Sequence, residues 1–175
     1  MDKILIFSDL HGDPHALDVL LEQTEREGVD SILCAGDLGL ERLDSHRERL
    51  RMLSGTFRTV RGNCDSPWVF PDYGFALPPR YLVVDIGGRT LFLTHGDIYH
   101  DWRSSPVKLH NRDIFVTGHT HIARLSKFSD GPLLLNPGSA SLPRDGRPPS
   151  YAVVTDREIV LKELFTQRMM DKLLI

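Results

Sequence analysis

Five short apolar runs in this chain each stop at the same kind of residue. Lys3 to Phe7 runs into Ser8-Asp9-Leu10-His11-Gly12, and Asp30 to Ala35 runs into Gly36-Asp37. Phe57 to Arg61 is followed by Gly62-Asn63-Cys64-Asp65, Arg89 to Thr94 by His95-Gly96, and Asp113 to Thr117 by Gly118-His119-Thr120-His121. Runs of this length, rich in Ile, Leu, Val and Phe, predict strands buried on both faces. A turn Asp or a core His explains any one ending. Asp, His and Asn at all five, beside glycines that permit close backbone approach, exceed turn chemistry. In open α/β sheets, ligands gather beyond the carboxyl ends of the strands. On extended backbone, period-two geometry would turn Asp9 and His11 the same way, and His119 and His121 likewise. Mixed carboxylate, amide and imidazole donors suit a divalent transition metal better than Mg²⁺ or Ca²⁺, which prefer oxygen throughout.

Between these points the chain predicts an α/β order. Asp13-Pro14 reads as an N-cap and first helical residue, Ala16, Leu17, Leu20 and Leu21 form one apolar face, and Gly28 ends the helix near Glu27. Residues 41–53 are charged, with Leu43, Leu50 and Leu53 on one side, and predict a surface helix. Residues 66–79, with four prolines and four aromatics, predict an irregular segment, read either as an aromatic-packed loop or as a pocket wall. Residues 81–86 and 89–94 around Gly87-Gly88 predict a hairpin. Residues 97–112 predict a loop with a short helix. Further hairpins are expected at 123–129 with 133–135 and at 151–155 with 159–165.

Composition narrows the class. The 175 residues read as one domain over 1–175. A net charge of -3 argues against a broad, charge-driven grip on nucleic acid. Cys34 and Cys64 form no CxxC pair, and neither a leader nor a membrane span is legible, so the expectation is a reduced, cytoplasmic chain. No G-x-G-x-x-G follows the first strand, which excludes a dinucleotide site of that kind.

The motif series D-x-H, G-D, G-N-C-D, H and G-H-x-H, in that order, resembles the calcineurin-like metallophosphoesterase superfamily. With GNCD, LFLTHG, GHTH and the NPGS-x-S-x-P stretch from Asn136 to Pro143, it is most similar to the YfcE-type small phosphodiesterases. The resemblance covers the chain to about residue 165. It implies an α/β sandwich of two mixed β-sheets flanked by helices. It also implies two divalent ions, manganese first, with iron, zinc or nickel as alternatives. Asp9, His11, Asp37 and His121 would hold one ion; Asp37, Asn63, His95 and His119 would hold the other, with Asp37 bridging. The implied activity is phosphodiester hydrolysis by a metal-bridging hydroxide, and the implied partner a small phosphodiester. A homo-oligomer is compatible with the chain, and no membrane partner is expected.

Asp37 and Asn63 are thus expected in catalysis, and Arg61 is a candidate partner for the phosphate. Cys64 stands where relatives with GNHD or GNHE carry a histidine, and Asp65 keeps the acid that orients it; both are candidates for the same step. The rival readings are a phosphomonoesterase or nucleotide hydrolase of the same superfamily, and a non-catalytic protein-binding scaffold of the same fold.

Overall fold

The computed structural model describes residues 2–175. The first strand, β1 (Ile4–Phe7), leads into helix α1 (Pro14–Glu27) and strand β2 (Ser31–Cys34). The Asp13 side chain accepts the Ala16 amide at the start of α1, and Gly28 at φ 60 closes its end, so both helix signals act as their chemistry dictates. Helix α2 (Arg47–Leu53) and strand β3 (Phe57–Thr59) follow. The expected helix over 41–53 is therefore shorter. Two 3₁₀ turns, Leu40–Arg42 and Asp44–His46, precede it. The Tyr73 hydroxyl sits against the Leu40 carbonyl and the Asp44 carboxylate, capturing groups that a continuous helix would use.

The hairpin β4 (Tyr81–Ile86) and β5 (Arg89–Thr94) stands where expected. Strands β6 (Ile114–Val116), β7 (Arg124–Lys127), β8 (Leu133–Asn136), β9 (Ser150–Val154) and β10 (Glu158–Glu163) come next. A last strand, β11 (Met169–Leu174), is not expected from sequence. It pairs antiparallel with β10 at the sheet edge, and Asp171 and Lys172 interrupt its apolar residues, so it gives no strong strand signal.

The strands form a six-stranded sheet, β11-β10-β9-β1-β2-β3, and a five-stranded sheet, β4-β5-β6-β8-β7. Both are mixed. In the first, β1, β2 and β3 run parallel while β9 joins β1 antiparallel. In the second, β5, β6 and β8 run parallel between antiparallel edges.

Alternation along β1 organises both layers. Ile4 and Ile6 enter the core between the sheets with Leu33, Leu91, Leu93, Ile114 and Val116. Leu5 and Phe7 face the other way, against Leu17, Leu20 and Leu21 of α1 and Leu50 of α2. Helices therefore cover the six-stranded sheet. Phe92 and Phe115 on the outside of the five-stranded sheet are covered by Tyr99, Trp102 and Leu109 of the 97–112 segment, whose one helical piece is the 3₁₀ turn Trp102–Ser104. The 66–79 segment contains a 3₁₀ helix, Pro67–Tyr73, ended by Gly74 at φ 80. Phe75 packs edge-on against both Phe57 and Phe70, so this segment serves the core.

Candidate metal centre

Parallel register brings the strand ends level. Phe7 lies opposite Cys34, and Cys34 opposite Thr59, in one sheet; Leu93 lies opposite Val116 in the other. Beyond these pairs the loops hold one another. The Asp9 and His11 amides donate to the carbonyls of Gly36 and Asp37, at 3.0 and 2.9 Å, and the Gly118 amide donates to His95 at 2.9 Å. Two glycines make the approach close enough. A Cβ on Gly62 would lie 2.0 Å from Asp37 Oδ1, and one on Gly118 would lie 1.8 Å from Ser8 Oγ.

The backbone here is not extended. Asp9, His11, Asp37, His119 and His121 all lie at positive φ, between 49 and 65. The D-x-H and H-x-H pairs therefore converge through two left-handed residues each, and not through the period-two alternation expected of a strand. Such a conformation costs a side-chain-bearing residue roughly 1–3 kcal/mol and clusters at functional sites.

The side chains form two groups that share Asp37. On one side, His11 Nε2 and His121 Nε2 are 3.3 Å apart, and His121 Nε2 is 3.3 Å from Asp9 Oδ1. On the other, Asn63 Oδ1 lies 2.9 Å from both His95 Nε2 and His119 Nδ1. Asp37 Oδ2 stands between, 3.8 Å from His11 Nε2 and 3.5 Å from His95 Nε2. All seven residues singled out as ligands meet at this junction of the two sheets.

The donor set fits metal ions. Asp9 Oδ1 is buried without a hydrogen-bond partner, a costly state for a carboxylate oxygen. His95 Nδ1 donates to the Ala35 carbonyl at 2.8 Å, and His121 Nδ1 to the Leu142 carbonyl at 2.7 Å. With Nδ1 protonated, each neutral imidazole presents an Nε2 lone pair inward, the arrangement that outer hydrogen bonds impose on metal-binding histidines. His95 Nε2 lies 2.9 Å from Asn63 Oδ1, so a metal ion between them would take the place of the proton that the charged ring donates there.

Electrostatics of the protein alone point the same way. Burial raises the Asp37 carboxyl, but His95 and the Cys64 amide outweigh it and bring it down to about 2. Burial lowers His95, but Asp37 and the Ala35 carbonyl hold it up at about 9. Asp9 raises His121. A site this rich in negative charge binds protons where it does not bind metal.

Asp65 lies behind the site. Its Oδ2 accepts the amides of Asp37 and Gly62, both at 2.9 Å, and its Oδ1 those of Leu38 and Gly39, at 2.9 and 3.2 Å. Its geometry is that of a brace for the Asp37 loop. Cys64 is exposed at the mouth, where its sulfur accepts from Asn63 Nδ2 at 3.3 Å. Partial burial and the Asp37 charge push the thiol up to about 11. The Arg61 amide donates to Pro79, and its Nε is buried without a partner.

His100 and His110 lie outside the ligand cluster: His100 lines a pocket on the five-stranded sheet with Phe115 and Thr120, and the His110 amide donates to Asp113. Sequence reasoning assigned no task to the NPGS-x-S-x-P stretch. Ser139 and Ser141 hydroxyls donate to the Asp9 carbonyl, Ser141 also to Leu10, and Leu142 supplies the carbonyl that orients His121. The serines and the small residues between them were the available signal.

The profile of the calcineurin-like phosphoesterase superfamily domain matches residues 2–158. The chain is 33% identical over 159 residues to the probable metallophosphoesterase YsnB of Bacillus subtilis, covering 87% of this chain and 83% of that one. It is 30% identical over 165 residues to the phosphodiesterase YfcE of Escherichia coli, covering 88% of each. The solved structure of Yfce, described as a phosphoesterase from E. coli, superposes with a TM-score of 0.85 at 27% identity over 98% of both chains. Vacuolar Protein Sorting 29 from Cryptosporidium parvum superposes at 0.67 with 26% identity, covering 99% of this chain and 96% of that one.

Asp65→Asn should loosen the whole loop, because its NH₂ would confront one pair of backbone amides. A loss of about 2–6 kcal/mol in denaturant unfolding is expected, since each of the two stranded donors costs about 1–3 kcal/mol. Metal-stripped protein should also show a pH signature. His95 is raised from its ordinary 6.5, so its contribution is complete below about 6.5 and lost as pH climbs to about 9. Asp37 is depressed from 3.8, so its contribution is lost as pH falls toward 2. The melting temperature of chelator-treated protein should fall between pH 6.5 and 9, and His95→Gln should flatten that fall.

Proposed function

This chain belongs to the calcineurin-like phosphoesterase superfamily, and on that premise we propose that it is a phosphodiesterase working with two divalent ions. The observation that carries the reading is the convergence of Asp9, His11, Asp37, Asn63, His95, His119 and His121, with the orphaned Asp9 oxygen 3.3 Å from His121 Nε2. Asp9, His11 and His121 would hold one ion, and Asn63, His95 and His119 the other, with Asp37 shared. Manganese leads among the candidates, with iron, zinc and nickel behind it, because the donors mix nitrogen and oxygen. When bound, the ions would supply Lewis acidity toward a phosphoryl group and would acidify water.

The protein's own groups set the rest. The carbonyls of Ala35 and Leu142 fix the His95 and His121 rings, so these imidazoles position and do not shuttle protons. Asn63 Oδ1 faces the cluster while its Nδ2 lies at the mouth beside Cys64, where it can donate to a phosphoryl oxygen. The Cys64 thiol, held protonated up to about 11, is a weak acid and a poor hydrogen-bond donor. With no imidazolium in its place, the leaving group receives little protonation. Acidic leaving groups are therefore favoured.

The diester preference follows the likeness to the E. coli phosphodiesterase. A monoesterase or nucleotide hydrolase is separated from it by a panel of aryl mono- and diesters tested with each metal. A purely structural scaffold is disfavoured because every ligand position is filled. Among the described residues no helix is long and apolar enough to cross a membrane. A one-domain cytoplasmic enzyme acting on a small phosphodiester fits this reading.

Asp37→Asn should abolish turnover and lower bound metal, read by elemental analysis beside a nitrophenyl diester assay. Full metal content and a near-normal rate would contradict the shared carboxylate. Cys64→Ala should cost less than about 10-fold on the same diester, well short of the 10²–10⁴ typical of a general acid. Cys64→His should raise activity on alkyl esters more than on nitrophenyl esters.

A further inference from the structure

We propose that Arg42 anchors the substrate: its guanidinium grips the phosphate of a monoanionic diester whose two uncharged ester arms lie in the openings on either side of His11. This deepens the phosphodiesterase reading and rests on it. One opening, of about 390 Å³, is bounded by Asp37, Glu41 and Cys64; the other, of about 290 Å³, by Pro14, Ser141 and Leu142. Among the described residues, His11 and Arg42 alone line both. Arg42 thus stands on the ridge between them, beside a ligand of the metal centre.

The placement of Arg42 is built into the backbone. Gly12 and Gly39 both lie at φ 71. A Cβ on Gly12 would sit 2.6 Å from Arg42 Cβ and 3.1 Å from its Cδ. The arginine stem therefore lies against bare backbone next to His11, on the 3₁₀ turn that replaces the start of the expected helix.

Its charge is left open. Arg47, Arg49 and Arg51, on the helix that follows, each pair with a carboxylate. Arg42 has no ion pair and no side-chain hydrogen bond among the described residues, and it is exposed. A guanidinium is suited to two parallel bonds to non-bridging phosphate oxygens. Each opening also carries an acid, Glu41 in the larger and Asp13 in the smaller. These carboxylates repel further negative charge, so the arms take uncharged groups and a dianionic monoester is disfavoured.

The test compares wild type, Arg42→Ala and Arg42→Lys, each reconstituted with metal. The readouts are KM and kcat on bis(para-nitrophenyl) phosphate, metal content, and calorimetric binding of diphenyl phosphate. Arg42→Ala should raise KM and weaken diphenyl phosphate binding by about 10–100-fold, the range for a hydrogen bond to a charged group. Its kcat should stay within a few-fold and its metal content should be unchanged. Arg42→Lys should recover part of the loss, because charge returns without the fork. KM and binding within two-fold of wild type in Arg42→Ala overturn the inference. Should wild type hydrolyse no diester with any metal, the phosphodiesterase reading fails, and diphenyl phosphate binding still judges Arg42: lost affinity upholds the anchor and unchanged affinity removes it. Glu41→Gln should reduce the preference for diester over para-nitrophenyl phosphate several-fold, and an unchanged ratio overturns the assignment of the arms.

Discussion

Asp9, His11, Asp37, His119 and His121 all hold their backbone at positive φ, and the loops of both sheets are built to keep them there. At roughly 1–3 kcal/mol each, five such residues would unravel an isolated loop. Here the strain is offset by interlocking hydrogen bonds. The loop after β1 donates amides to the loop after β2, the Asp65 carboxylate gathers four amides beneath Asp37, and the serines at 139 and 141 clasp the Asp9 and Leu10 carbonyls. None of these contacts is local in sequence except within Gly62 to Asp65. The left-handed turns gain a convergence that flat strand ends lack: neighbours one residue apart turn inward while Leu10, between one pair, is buried in the core.

The glycines beside the ligands serve the same constraint. Gly62 and Gly118 are bare because Asp37 and Ser8 occupy the space a side chain would fill. Replacing either would push a ligand loop outward. Asp37 is the point where the two halves meet, since its partners His11 and His95 come from different sheets. The metal centre thus exists only where the sheets pack, and the apolar core of Ile4, Ile6, Leu93 and Val116 indirectly sets ligand distances.

The mouth of the site is organised differently from its floor. Asp9, Asp37, His95 and His121 on the floor are buried and held by backbone groups, while Asn63 and His119 reach toward solvent. Arg42, Glu41 and Cys64 at the mouth have exposed, loosely tied side chains. Rim residues can change without disturbing the strained turns.

Much was legible in the sequence for physical reasons that act locally. Apolar runs of four to six residues, the Asp13-Pro14 cap and the Gly87-Gly88 turn specify strands, helix α1 and the β4–β5 hairpin from short-range preferences. Ligand chemistry at five strand ends marked the seven residues that meet at the centre, because parallel register must bring such ends level. Three things depended on tertiary structure. The left-handed backbone of the D-x-H and H-x-H pairs arises from loop-to-loop hydrogen bonds invisible in a local pattern. Strand β11 forms because β10 offers an open edge, not because Met169 to Leu174 favour extended backbone. The place of Arg42 at the lip follows from Tyr73 capturing the Leu40 carbonyl and from the contact of Gly12 with Gly39. These partners lie far apart in the chain, and only folding brings them within reach.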